Sequence, residues 1–182
     1  RRPVGQSRTT HKNRESRSIL FSAARAYVFN QLLSRRIRCD RWSTYVKGDV
    51  LNLDKTKRFF TVAVDSWNQD LVDRLASLDI HPTGLLPGKL GSNNRYVTRE
   101  IAADMESAVC KEFAEIVHGL ARWGIEEGRR PLRFRMEGLD CHWLDSETLE
   151  LSFSLPTGAY ATSLLRELCQ VEDFSGAHHS HL

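Results

Sequence analysis

The sequence predicts an α+β fold, and three observations carry that prediction. Two long stretches, 17–36 and 99–123, repeat apolar residues at helical spacing. Short extended segments that alternate apolar and polar residues lie between and after them, separated by turn residues. The last of these strands runs through a Pro/Gly break into a short helix. Strands that follow one another as a meander pair antiparallel, and helices set apart from them give α+β architecture.

Composition narrows the class. The 182 residues are 41% hydrophobic, enough for one substantial core or two small ones. The charged fraction is 27% and no long apolar run interrupts it, which predicts a soluble protein without a membrane span. The beginning lacks the order of a signal peptide, so a cytoplasmic location is expected. Cys39, Cys110, Cys141 and Cys169 are isolated in sequence and predict reduced, buried thiols with no zinc site. Net charge is only +3, but cations cluster: Arg1, Arg2, Arg8, Lys12, Arg14 and Arg17, then Arg35, Arg36, Arg38 and Arg41, then Arg129, Arg130, Arg133 and Arg135. Such clusters neutralise phosphates or form solvated faces.

In chain order, the polar residues before Arg17 lack an apolar period and predict disorder. The first helix follows, capped by Ser16, with Leu20, Ala24, Tyr27, Val28 and Leu32 on its buried face. Arg25 and Arg35 are expected to stand off that face, and Asn30 to hold a structural partner. Val50–Leu53 and Phe59–Val64 predict two strands joined by a charged tip, Asp54–Arg58. A helix is expected from Gln69 to Leu78. Ile80–Gly88 holds two prolines and two glycines and predicts a loop, with His81 bonded locally and without an acidic partner. The longest helix, Arg99–Trp123, carries Ile101, Met105, Ala108, Val109, Phe113, Ile116, Val117 and Leu120 at its core face. Thr98 caps it and Gly124 ends it. Beyond Pro131, Leu132–Met136 and Leu139–Leu144 predict strands, and Asp145–Glu147 turns the chain into a strand over Leu149–Phe153. The tail His178-His179-Ser180-His181 reads as surface.

That last strand enters the stretch with the most specific wording, Leu155-Pro156-Thr157-Gly158-Ala159-Tyr160-Ala161-Thr162 followed by Leu165-Arg166-Glu167-Leu168. Pro156 and Gly158 break the strand, and Ala161, Leu164, Leu165 and Leu168 recur at helical spacing. An aromatic ring at the mouth of a short helix suits a planar polar ligand such as a nucleobase, or simply covers a strand end.

This stretch resembles the C-terminal signature of the TruD family, the tRNA pseudouridine synthases D. Three upstream blocks strengthen the resemblance: Arg17-Ser18 with Ser22-Ala23, Arg25 and Phe29-Asn30-Gln31; Gly48-Asp49-Val50; and Ile80-His81-Pro82-Thr83-Gly84 with Gly88. Together they span Arg14 to Leu168. The family's catalytic aspartate sits in a Gly-x-Lys-Asp segment, and a second family segment, Asn-x-Phe-Gly-x-Gln-Arg-Phe-Gly, completes the uridine pocket. Neither string occurs in these 182 residues. The resemblance therefore implies a C-terminal portion, with no catalytic residue of its own and inactive alone.

By resemblance, residues 1–10 form a basic arm, 11–134 an insertion domain of helices and strands, 135–177 antiparallel strands and a helix of the catalytic sheet, and 178–182 a tail. The implied reaction isomerises uridine at position thirteen of tRNA to its C-glycoside, without a cofactor or metal. Flipping the target out of its stack costs a few kcal/mol, and aromatic stacking returns about 1–3 kcal/mol per base. The resemblance gives that stacking role to Tyr160, with Gly158 allowing close backbone approach. Arg14, Arg17, Arg25, Arg35, Arg36 and Arg166 are the expected tRNA contacts. A non-catalytic RNA-binding module and a protein-interaction domain with basic clusters are the alternative readings.

Overall fold

The computed structural model describes residues 6–63, 65–91, 96–156, 159 and 161–170, with side chains from residue 16 onward except those of Thr162 and Glu167. The chain divides into two compact units, residues 1–133 and 134–182. It is α+β, with antiparallel pairing throughout its named strands.

In the first unit, α1 (Gln6–Arg38) begins well before Arg17. Residues 6–16, expected to be disordered, are helical. Gln, Arg, Lys and Glu are good helix formers, and adding a turn to an existing helix avoids the cost of nucleation. The buried stripe of α1 is also rotated from the expected one. Val28, Phe29 and Leu32 are buried, whereas Leu20, Tyr27 and Asn30 are exposed. The stripe continues through Arg36, 2% exposed, so a long cation occupies a position assigned to solvent.

Four strands form an antiparallel sheet in the order β2-β1-β3-β4, from β1 (Val50–Leu53), β2 (Phe59–Thr61), β3 (Ile80–Leu86) and β4 (Gly128–Pro131). The β1–β2 tip turns as expected. Lys55 adopts φ 56°, and the Asn52 side-chain amide donates to the Thr56 and Arg58 carbonyls. β3 corrects the sequence reading, because Ile80–Leu86 is an inner strand and not a loop. Pro82 removes one backbone donor, yet its carbonyl accepts from Leu132 N at 2.9 Å. Gly84 is required by packing: a Cβ there would lie 2.9 Å from the Phe29 ring and 3.0 Å from Leu32. His81 is buried and does have an acidic partner. Pairing of β1 with β3 brings its Nε2 to 2.9 Å from an Asp54 carboxylate oxygen, 27 residues away in sequence.

α2 (Gln69–Ala76) starts at Asn68, whose side chain accepts from Leu71 N. It packs Leu75 with Leu51 and Ile80, and Tyr45, Trp67 and Leu71 surround that cluster. The long helix expected over 99–123 is two helices, α3 (Glu100–Glu112) and α4 (Ala114–Arg122), broken where Phe113 leaves helical geometry. That departure places the Phe113 ring edge-on to Tyr27 of α1, centroids 5.4 Å apart. Val109 joins Val28 and Leu32 in a second cluster, with Met105, Phe113 and Ile116 against it. Ile101 and Ala108 point outward, and Glu106 takes a buried position instead. Thr98 does not cap α3; it donates to Glu106 at 2.7 Å.

In the second unit, β5 (Glu137–Trp143) and β6 (Leu149–Ser154) form a two-stranded sheet, and α5 (Ala161–Leu168) follows. Asp145 closes the hairpin by accepting from the Glu147 and Thr148 amides. The extended segment expected at Leu132–Met136 is not a strand; β4 precedes it instead. The cysteines are free, but Cys39, Cys141 and Cys169 are exposed and Cys110 is only half-buried, which corrects the expectation of buried thiols. Among the described residues no helix is long and apolar enough to cross a membrane.

Candidate functional site

The strand–turn–helix unit read from sequence is present: β6 ends at Ser154, Ala159 N donates to the Pro156 carbonyl at 3.0 Å, and α5 begins at Ala161. Tyr160 and Gly158, the expected uracil-facing residues, lie outside the described residues, as does the histidine-containing tail. Arg166 is exposed in the last turn of α5.

The remaining arginines divide by what the fold does with them. Arg17 is exposed, its guanidinium carbon 5.5 Å from the Trp123 ring centroid. Trp123 is itself 61% exposed and also contacts Phe21. Arg35 is partly covered and pairs with Glu112 at the end of α3. Arg25 turns inward and donates to the Glu126 carbonyl at 3.0 Å, tying α1 to the segment before β4. Arg36 is the clear correction. Its guanidinium makes a bidentate pair with Asp49 at 2.7 and 2.8 Å, and its Nε donates to the Arg41 carbonyl. Asp49 also accepts from Val46 N. Burial pushes the Asp49 carboxyl up, while Arg36 and the Val46 amide pull against that rise. A guanidinium committed in this way has no face left for a phosphate. Side-chain placement of Arg14 lies outside the described residues.

Arg129 and Arg133, part of the third basic cluster, are likewise structural. Arg129 pairs with buried Glu106 at 2.5 Å and donates to Thr83 Oγ1 at 2.8 Å, while that hydroxyl donates to the Val50 carbonyl. Arg133 donates to the Leu75 and Ile80 carbonyls. The signal for Glu106 was available: it shares a helical stripe with Ala102 and Val109, where an acid needs a partner.

A second feature escaped the sequence reading. Tyr45 and Trp67 stack with centroids 4.0 Å apart and planes 7° from parallel. They border an open cleft of about 330 Å³ that Gly48, Asp65, Arg99 and Glu100 also line. Gly48 sits at φ 88°, and a Cβ would fall 1.8 Å from the Arg99 carbonyl oxygen, so no larger residue fits without moving the start of α3.

This architecture matches a solved protein. The TruD-type protein of Methanosarcina mazei superposes with a TM-score of 0.58 over 79% of this chain and 36% of its own, at 21% identity, and so shares the fold. The profile of the family described as tRNA pseudouridine synthase D (TruD) matches residues 10–168. The chain belongs to the TruD family. The tRNA pseudouridine synthase D of Xanthomonas oryzae pv. oryzae (strain KACC10331 / KXO85) is 38% identical over 172 residues, covering 94% of this chain and 45% of that protein. The tRNA pseudouridine synthase D of Hydrogenovibrio crunogenus is 33% identical over 167 residues, covering 92% and 46%. The chain thus spans about half the length of the curated relatives it matches.

Proposed function

We propose that this chain works as part of a tRNA pseudouridine synthase that isomerises the uridine at position thirteen of tRNA. The observation that carries this reading is the family match over residues 10–168. In it Tyr160 and Gly158 meet the flipped uracil, and Tyr160 supplies the stacking energy that offsets unstacking. Residues 11–134 act as the insertion domain and bind tRNA through exposed cations such as Arg17, and Arg166 of α5 adds a contact from residues 135–177. The nucleophilic aspartate comes from residues outside these 182, since no Lys-Asp pair occurs among them. It attacks the nucleotide, the N-glycosidic bond breaks, the base turns, uracil C5 joins the ribose as the aspartate is released, and the C5 hydrogen leaves to solvent as a proton. Neither a metal nor an organic cofactor enters this reaction, and the cytoplasm is where its substrate resides.

The β5–β6 hairpin supports an incomplete sheet. Paired residues Trp143 and Leu149 share one face with Cys141 and Leu151, and Trp143 is 68% exposed. A two-stranded hairpin is marginal in water, so such a face calls for covering structure. The test is tritium release from tRNA labelled at uridine C5. The purified chain should release none, and addition of a segment carrying Gly-x-Lys-Asp should restore release. Turnover by the chain alone overturns the assignment of the nucleophile. Failure of the completed enzyme to turn over leaves the reading of an RNA-binding module without chemistry.

A further inference from the structure

The cleft beside the Tyr45–Trp67 pair brings aromatic rings together with charged side chains of both signs. Both rings are anchored from behind by the Leu51, Leu75 and Ile80 cluster, so their position is fixed before any ligand arrives. The cleft holds two cations and two carboxylates. Lys47 Nζ lies 2.8 Å from Glu100 Oε2, which leaves Arg99 as the exposed cation without a side-chain partner among the described residues. Asp65 is exposed and, after Glu100, adds a further negative charge near Lys47. Gly48, Asp65 and Glu100 adopt φ of 88°, 67° and 47°, so three left-handed residues ring one opening. Non-glycine residues held there cost of order 1–3 kcal/mol each, and such strain collects at ligand sites. The volume, about 330 Å³, lies at the small end of ligand pockets.

We propose that this cleft holds one unstacked ribonucleotide, its base on the outer face of the Tyr45–Trp67 stack, its ribose hydroxyl donating to Asp65, and its phosphate on Arg99. Aromatic contact accepts any base, because every base offers a π-face. A carboxylate facing the 2′-hydroxyl distinguishes RNA from DNA. Balanced charge disfavours a bare phosphate, which would meet two carboxylates, and favours a whole nucleotide. The choice of an RNA strand as its source rests on the function proposed above.

The experiment titrates the full 182-residue chain with a tRNA transcript, a hexauridylate, the matching deoxy-oligonucleotide and free UMP. The readouts are the NMR positions of the Trp67 indole N–H and the Gly48 amide. The RNA probes should shift both saturably. The deoxy probe should bind about three- to tenfold more weakly, the worth of one hydrogen bond, and Asp65→Ala, which removes the acceptor, should erase that gap. Arg99→Ala should lower the slope of log affinity against log salt by about 1 for tRNA. Tighter binding of hexauridylate than of UMP supports a strand; UMP binding equally well overturns the strand as source. If tRNA binds while both signals stay still, the cleft proposal falls and the RNA reading stands. If tRNA fails to bind but hexauridylate and UMP shift both signals, the site stands and the tRNA reading falls. Trp67→Phe, which keeps a ring, should retain the shift at Gly48 and guards against loss through misfolding.

Discussion

Arg36 and Asp49 join α1 to the segment entering β1 through two hydrogen bonds in a nearly water-free site. Every remaining polar atom of the pair's contact surface has a neighbour, Val46 N on one side and the Arg41 carbonyl on the other. Removing one partner strands the other charge. Arg36→Met or Asp49→Leu alone should therefore cost about 3–5 kcal/mol in urea denaturation, and the double substitution should recover most of that loss. Additive losses would mean that the two residues are not coupled. Asp145 illustrates the opposite regime, at the surface. The Glu147 amide first, and then Thr148, hold its carboxyl below the usual aspartate range. Because the folded value is depressed, the hairpin gains from this contact above the ordinary aspartate value and loses it as pH falls through the depressed one. An NMR titration of the Asp145 carboxyl should show a midpoint below that of an aspartate in an unstructured peptide; a midpoint at or above it would contradict the turn geometry.

At the scale of elements, the approach of α1 to β3 decides the packing of the first unit. Gly84 lets the Phe29 and Leu32 side chains rest on the strand backbone. Gly84→Ala inserts a methyl group where three side-chain atoms already lie within 3.1 Å, and should cost about 1–3 kcal/mol by overpacking. Thermal unfolding of that variant at unchanged or higher temperature would show that α1 moves away freely. The boundaries of the strand after α2 were illegible because Pro82, Gly84 and Pro87 mark a turn locally, while burial between β1 and β4 outweighs that preference. The helix α1, by contrast, was legible in existence and type but not in rotation. Its inward stripe includes Arg25 and Arg36, and an apolar period gives such residues to solvent.

At the scale of the whole molecule, the two units differ in how well they can stand alone. The first has two hydrophobic clusters and a network of Glu106, Arg129 and Thr83 joining α3, β4 and β3. The second presents a hairpin with β5 exposed along its length. Amide hydrogen exchange should accordingly be slowest at Leu51, Ile80 and Thr83, and much faster through 137–154. Equal protection of both units in the isolated chain would refute an incomplete second sheet.

The amino-acid sequence by itself determined the α+β class, the order of most elements, the strand–turn–helix unit at 149–168 and the family to which they belong, because these rest on local period and on short motifs. Only tertiary structure decided which arginines are available to a partner. Arg36, Arg129 and Arg133 are charged like Arg17, yet each is drawn inward by an acid or carbonyl that lies far away in sequence. The Tyr45–Trp67 cleft has the same origin, since its walls come from three segments that only folding brings together. Long-range pairing, and the cost of leaving a buried charge or carbonyl without a partner, sets both outcomes.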